Sequence, residues 1–162
     1  MIPSDSARDE AFLREAIQIA AEHSRRRDGG PFGAVLVCDD NILSRGWNQV
    51  TSINDPTAHA EVMAIRAACR ELSDFRLSGC VLYASCEPCP MCLAATYWAR
   101  IDRLVYAATR EDAAAIGFDD SRFYDELSRP LKRRQLRVTQ LLRVESVAMM
   151  ERWNALPDKV RY

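Results

Sequence analysis

The sequence predicts an α/β domain of three layers, α/β/α, built on a mixed five-stranded sheet with a C-terminal extension. Five short β-rich runs occur, at 33–38, 42–47, 80–85, 103–108 and 137–142. Helical apolar spacing fills most of the intervals, so that strands and helices alternate after an initial helix and hairpin, the order of a partly parallel sheet. The 162 residues suit a single domain, 1–162, long enough to bury most of its apolar surface. Formal charge is 22 − 23 = −1 with 48% hydrophobic residues, which excludes disorder as the main state and lacks the positive excess that nucleic-acid binders carry. No run approaches the ~18 apolar residues of a membrane span. The start, Met1 to Ser6, has no apolar core of signal-peptide length, so a cytoplasmic, reduced protein is expected.

Ser6 is positioned to cap a helix opening on Asp9 and Glu10, whose apolar face is Phe12, Leu13, Ala16, Ile17 and Ala20. That helix dissolves in the basic stretch 24–28, a solvated end favoured by the dipole. Gly29-Gly30-Pro31 is a turn. The runs at 33–38 and 42–47, joined by Asp39-Asp40-Asn41, read as a hairpin. Residues 48–57 read as a loop, with Asp55-Pro56 as a boundary. Thr57 is then a cap for a helix over 58–72 with Val62, Ile65, Ala68, Cys69 and Leu72 inward. After the strand 80–85, Pro90 opens a helix to about residue 100. The strand 103–108 leads into a helix over 110–116 that Gly117 ends. Further on, 121–127 reads as a short helix, 137–142 as a strand and 145–153 as a helix.

Six cysteines are present: Cys38, Cys69, Cys80, Cys86, Cys89 and Cys92. Cys38, Cys69 and Cys80 fit apolar patterns and read as core thiols. Cys89 and Cys92 stand three apart at a helix start, on one face, where the dipole favours thiolate. His59 sits in the first turn of the preceding helix. Two thiolates and an imidazole fill three corners of a tetrahedral zinc site and leave the fourth to water, the pattern of catalytic zinc. Glu61, two residues after His59, is turned about 200° around the helix, yet at the first turn both side chains still reach a metal lying off its end. A carboxylate beside the metal moves protons between water, ring nitrogen and leaving amine. H-x-E together with P-C-x-x-C is the recorded signature of zinc-dependent nucleobase deaminases. Cys86 leaves an alternative open, a closed structural site of three cysteines and His59 in a non-catalytic interaction module.

The stretches Gly29 to Val35, Asn54 to Glu61 and Ser85 to Cys92, with Gly117-Phe118-Asp119-Asp120 and a terminal Tyr162, resemble the cytidine-deaminase-like superfamily. Within it the chain is most similar to the small bacterial guanine deaminases. The first three stretches are shared with tRNA adenosine and cytosine deaminases; the G-F-D-D block and the last tyrosine are more particular to guanine and guanosine deaminases. The resemblance implies one Zn2+ per chain with an activated water, held by His59, Cys89 and Cys92, and Glu61 as proton shuttle. It implies Asp120 as a second carboxylate near the departing amine. Asn48, Phe32, Ala60 and Tyr162 would contact a small purine substrate. It further implies a catalytic core at about 9–128 and a homodimer in which a segment at about 129–162 crosses to the partner, bringing Tyr162 over its pocket. By residue chemistry alone, Asn48 serves equally as a turn residue, Asp120 as a helix cap, Phe32 as core and Tyr162 as a frayed end. Ala95 departs from the family, where glycine is frequent. Guanosine, cytosine or ammeline stand as other substrates, and tRNA adenosine is disfavoured because Lys132-Arg133-Arg134 is too small a basic patch.

Overall fold

The computed structural model describes residues 5–161, and Tyr162 lies outside them. Two compact units result, one ending at Ser121 and one starting at Arg122. The first contains α1 (Asp5–Arg25), β1 (Gly33–Cys38), β2 (Asn41–Trp47), α2 (Val50–Ile53), α3 (Ala60–Leu72), β3 (Cys80–Cys86), α4 (Pro90–Trp98), β4 (Arg103–Ala108) and α5 (Arg110–Ala115). The sheet order is β2-β1-β3-β4, with β1 antiparallel to β2 and β3, and β3 parallel to β4 across the α4 connection.

Alternation along the strands builds the three layers. Val35, Val37 and Tyr83 face α1 and pack against Ala16 and Ile19. Ala34, Leu36 and Leu82 point the other way and pack against Ala60, Ala64, Ala68 and Ala99. Each helix layer approaches the sheet at a glycine. A Cβ on Gly33 would lie 2.3 Å from the Ala16 carbonyl oxygen, and one on Gly46 would lie 2.2 Å from that of Ala60 and 2.5 Å from the Ala64 nitrogen. Ser44 completes the second contact by donating to the Ala64 carbonyl at 2.8 Å. On the α1 side, Asp9 accepts from the Tyr83 hydroxyl at 2.7 Å and from Arg103, so one carboxylate joins the helix to β3 and β4. Those bonds, Arg103's first, hold Asp9 below the usual carboxyl range, while burial and the Asp9 bond push Tyr83 up to about 12.

Several expectations from the sequence are corrected. The sheet has four strands, because 137–142 finds no strand partner among the described residues and a strand exists only by pairing. Helix α1 opens at Asp5, which places Ser6 inside it rather than at its cap. The cap of α3 is His59, not Thr57. Residues Val50–Ile53 form one helical turn instead of loop, closed by Asn54 in the left-handed region at φ 55°. Cys38 and Cys80 are not free core thiols: directly opposite in the β1–β3 register, with Cα atoms 4.4 Å apart, they form a disulfide. Forty-two residues separate the pair in sequence, and only the strand register brings them together.

In the second unit, α6 (Ser121–Ser128, its first residue closing unit one) leads to a 3-10 turn at Leu131–Arg133 and to α7 (Arg143–Asn154). The Arg134 guanidinium donates to the Leu127 and Arg129 carbonyls at 3.0 Å each, and the Gln135 N–H donates to the Glu126 carboxylate at 2.7 Å. Leu136, Leu141, Leu142 and Val144 are exposed. Among the described residues no helix is long and apolar enough to cross a membrane.

Gly46→Ala should push α3 off β2 and lower stability by about 2–3 kcal/mol, since backbone atoms rather than a movable side chain fill the space. Urea unfolding checks this; an unchanged midpoint would show that α3 does not depend on the contact.

Candidate active site

Two helix beginnings meet at the ends of the central strands. His59 occupies the N-cap of α3 and Cys89 the N-cap of α4, both with extended backbone, and neither side chain caps its own helix. Pro88 and Pro90 flank Cys89. Pro90 takes the first helical position, where its missing N–H costs nothing. That brings Cys92 to the third helical residue, beneath Cys89. The His59 Nδ1 lies 3.5 Å from the Sγ of Cys89 and 3.5 Å from the Sγ of Cys92, and the two sulfurs are 3.6 Å apart.

Those separations test the metal. Tetrahedral bonds of about 2.3 Å to sulfur and about 2.05 Å to nitrogen put ligands about 3.8 Å (S to S) and about 3.6 Å (S to N) apart. The observed triangle matches within a few tenths of an ångström, and these three side chains could hold a metal ion. The electrostatics agree. Hydrogen bonds from Cys92 and His59 pull the Cys89 thiol down to about 4. The proton Cys92 shares with Cys89, together with burial, pushes Cys92 up. Burial raises Glu61, and the Cys89 charge adds to it. The Cys89 hydrogen bond raises His59, with the charges of Cys89, Glu61 and Asp120 adding. With Cys89 ionised, Cys92, Glu61 and His59 are all raised, as in a site short of positive charge, which a dication supplies.

Glu61, the second residue of α3, is buried with its Oε2 3.4 Å from the Cys92 Sγ, beside the triangle rather than in it. Cys86, also buried, is on the strand side of the Pro88 bend. Its thiol donates to the Thr109 carbonyl at 3.4 Å, and burial raises it to about 11. Asp120 is raised by burial first and by the Cys89 charge second, so it stands within electrostatic range of the ligands.

Among the remaining expected residues, Asn48 is buried at the end of β2, and its Oδ1 accepts from the N–H groups of Gly30 and Val50 at 3.2 Å each. It is therefore a turn-maker as well as a site candidate, and its amide nitrogen is the end left for a ligand's acceptor. The next residue, Gln49, donates its N–H to the Ala58 carbonyl at 2.9 Å, tying this strand end to the His59 loop. Phe32 meets Phe118 edge to face, with centroids 4.9 Å apart. Ala60 is packed into the core against Ala34 and Leu36. The expectation for Tyr162 falls outside the described residues. The grip of Gly30 on Asn48 and the Phe32–Phe118 pair escaped the sequence reading. Gly29-Gly30 ahead of Phe32, and the phenylalanine of G-F-D-D, were the available signals.

The sequence profile described as the cytidine and deoxycytidylate deaminase zinc-binding region matches residues 6–108. The chain is similar to the guanine deaminase of Bacillus subtilis, 48% identical over 153 residues, 94% of this chain and 98% of that protein. The X-ray structure of that guanine deaminase superposes with a TM-score of 0.92 over the same shares. A tRNA-specific adenosine deaminase of Agrobacterium fabrum is 44% identical over 108 residues, 67% of this chain and 71% of that protein. The structure of a guanine deaminase from Nitrosomonas europaea is 31% identical, with a TM-score of 0.65, covering 91% of this chain and 85% of that chain.

Cys89→Ala should abolish stoichiometric zinc and lower the unfolding midpoint with it, because ligand binding is linked to folding. Cys86→Ala should keep one zinc per chain. Elemental analysis of both variants separates the three-ligand site from a closed four-ligand one.

Proposed function

The chain belongs to the cytidine and deoxycytidylate deaminase zinc-binding family, and from that premise we propose that it hydrolyses guanine to xanthine and ammonia. The observation that carries this reading is a buried carboxylate, Glu61, held beside three metal-ligating side chains and not among them. Similarity to a guanine deaminase runs through the tail, whereas that to the tRNA enzyme covers 67% of the chain.

His59, Cys89 and Cys92 would hold the zinc. Zinc, when bound, supplies a water acidic enough to lose its proton near pH 7. Glu61 takes that proton. Burial raises its affinity for one, which suits a carboxylate that must accept a proton and give it up again. It delivers the proton to N3 of the purine as oxygen adds at C2. Glu61, then free again, takes the proton of the new C2 hydroxyl and, with Asp120, passes it to the amine, which leaves C2 as ammonia as the C2 carbonyl forms. One guanine and one water become one xanthine and one ammonia. Asn48 offers its amide N–H to a purine acceptor, because its oxygen is already engaged by Gly30 and Val50. Phe32, backed by Phe118, supports a flat ring, and Ala60, its methyl packed in the core, meets the substrate through its backbone.

The same reading extends to assembly. We take the whole chain as one deaminase domain that pairs as a homodimer. The segment from about 129 crosses to the partner, and Tyr162 closes over the partner's pocket. Support comes from the exposed Leu136, Leu141 and Leu142 and from β4, an edge strand among the described residues. A cytoplasmic location belongs to the same reading, with Cys89 and Cys92 free as thiols beside the Cys38–Cys80 disulfide.

Ammonia release across guanine, guanosine, cytosine, ammeline and tRNA should be highest with guanine; preference for any other member of the panel rejects the substrate. Glu61→Gln should lose about 10²–10⁴-fold in turnover while keeping one zinc per chain. Normal turnover in that variant would end the proton-shuttle role. Light scattering should give twice the chain mass, and a monomer would reject the swap.

A further inference from the structure

His59 stands at the N-cap of α3 without capping it. An N-cap side chain normally accepts from an N–H of the first turn and so fixes the angle at which the chain enters the helix. Here the imidazole is committed to Cys89 and Cys92, so the entry must be fixed by something else.

The preceding turn supplies it. Asp55 Oδ1 accepts both the Thr57 N–H, at 2.8 Å, and the Thr57 hydroxyl, at 2.7 Å. The Asp55 carbonyl accepts the Ala58 N–H at 3.0 Å, and the Thr57 carbonyl accepts the His59 N–H at 2.8 Å. On the other side, Arg66 of α3 reaches back. Its Nη1 donates to Asp55 Oδ2 at 3.4 Å and its Nη2 to the Thr57 hydroxyl oxygen at 3.3 Å. One carboxylate thus closes the turn and also joins it to the helix that the turn starts. Pro56 stiffens the middle of the loop by fixing its own φ. The bonds from Thr57 hold Asp55 below the usual carboxyl range, so it is ionised at neutral pH.

We propose that Asp55 is a positioning residue for the metal centre: by clamping Thr57 and engaging Arg66, it stands in for the missing N-cap of α3 and aims His59 at Cys89 and Cys92. The inference rests on His59 being a zinc ligand. Asp55 bonds to Thr57 and Arg66 and is not one of the three metal-ligating side chains. Its effect is therefore expected in metal retention and in the chemical step, and not in substrate affinity.

The test uses zinc-loaded protein. Zinc release into excess pyridylazoresorcinol is timed for the parent chain, Asp55→Ala and Asp55→Asn. The urea midpoint is recorded for each with zinc present, and kcat and KM for guanine are measured at saturating zinc. Asp55→Ala should release zinc about tenfold to a hundredfold faster, and its kcat should fall at nearly unchanged KM, the scale seen when groups behind a metal ligand are removed. Asp55→Asn keeps an oxygen for the Thr57 donors and should stay within about threefold of the parent in both. If Asp55→Ala gives no soluble protein, Thr57→Val removes one of the two clamp bonds and should release zinc several-fold faster. Parental release from the alanine or valine variant overturns the proposal. So does failure of asparagine to rescue, or acceleration no greater than the drop in urea stability accounts for. A parent chain with no zinc refutes the metal centre itself, and is distinguished by its stoichiometry before any variant is compared.

Discussion

The imidazole of His59 and the thiol of Cys89 occupy the N-cap positions of two different helices, and each turns away from its own helix toward the other. A cap given up costs about 1 kcal/mol. Two are surrendered here, and the sulfurs and nitrogen are left within 3.6 Å of one another, where their charge states push against each other. Binding free energies of structural zinc, about 10–16 kcal/mol in small peptides, exceed such costs several times over. The positive ends of both helices also point at the thiolates and at Glu61, so the backbone contributes to holding negative charge at that point.

Much of the first unit serves to bring those helix ends together. The core is divided by the sheet, with Val35 and Val37 on the α1 side and Ala34 and Leu36 on the other. On that other side, Gly46 and Ser44 set α3 directly on β2, so the height of His59 above the sheet follows from backbone contact and not from the packing of long side chains. Strand β3 carries the chain to Cys86, and Pro88 then redirects it before Cys89 can continue the strand. The difference between Cys86 and Cys89 follows from this bend. They are three residues apart and chemically identical, yet one thiol is bonded to the Thr109 carbonyl and raised to about 11, while the other is drawn down to about 4.

The sequence reading reached most of the fold where short-range chemistry decides. The limits of β1 and β4 came out residue for residue, since apolar runs between turn residues leave little choice. Reading failed where the outcome depends on a partner far along the chain. The run 137–142 has the composition of a strand but no neighbour to pair with among the described residues. Cys38 and Cys80 look like buried thiols until the β1–β3 register sets them opposite. Thr57 looks like a cap because threonine is a good one, but its hydroxyl is spent on Asp55 and the helix begins two residues later.

For the site, residue types and spacing were enough to name His59, Glu61, Cys89 and Cys92 and to imply zinc, because a tetrahedral ion needs few ligand kinds and helix starts present them at fixed offsets. Spacing says nothing of orientation. Only the folded chain decides that the Asn48 oxygen is used by Gly30 and Val50, that Phe118 stands against Phe32, and that Cys86 turns to Thr109 instead of the metal. Each of those outcomes depends on backbone groups or side chains from other segments, and their positions are set by the packing of α1, α3 and α4 on the sheet. The chain's own order determined which chemistry is available; the approach of helices over two glycines decided which atoms face one another to perform it.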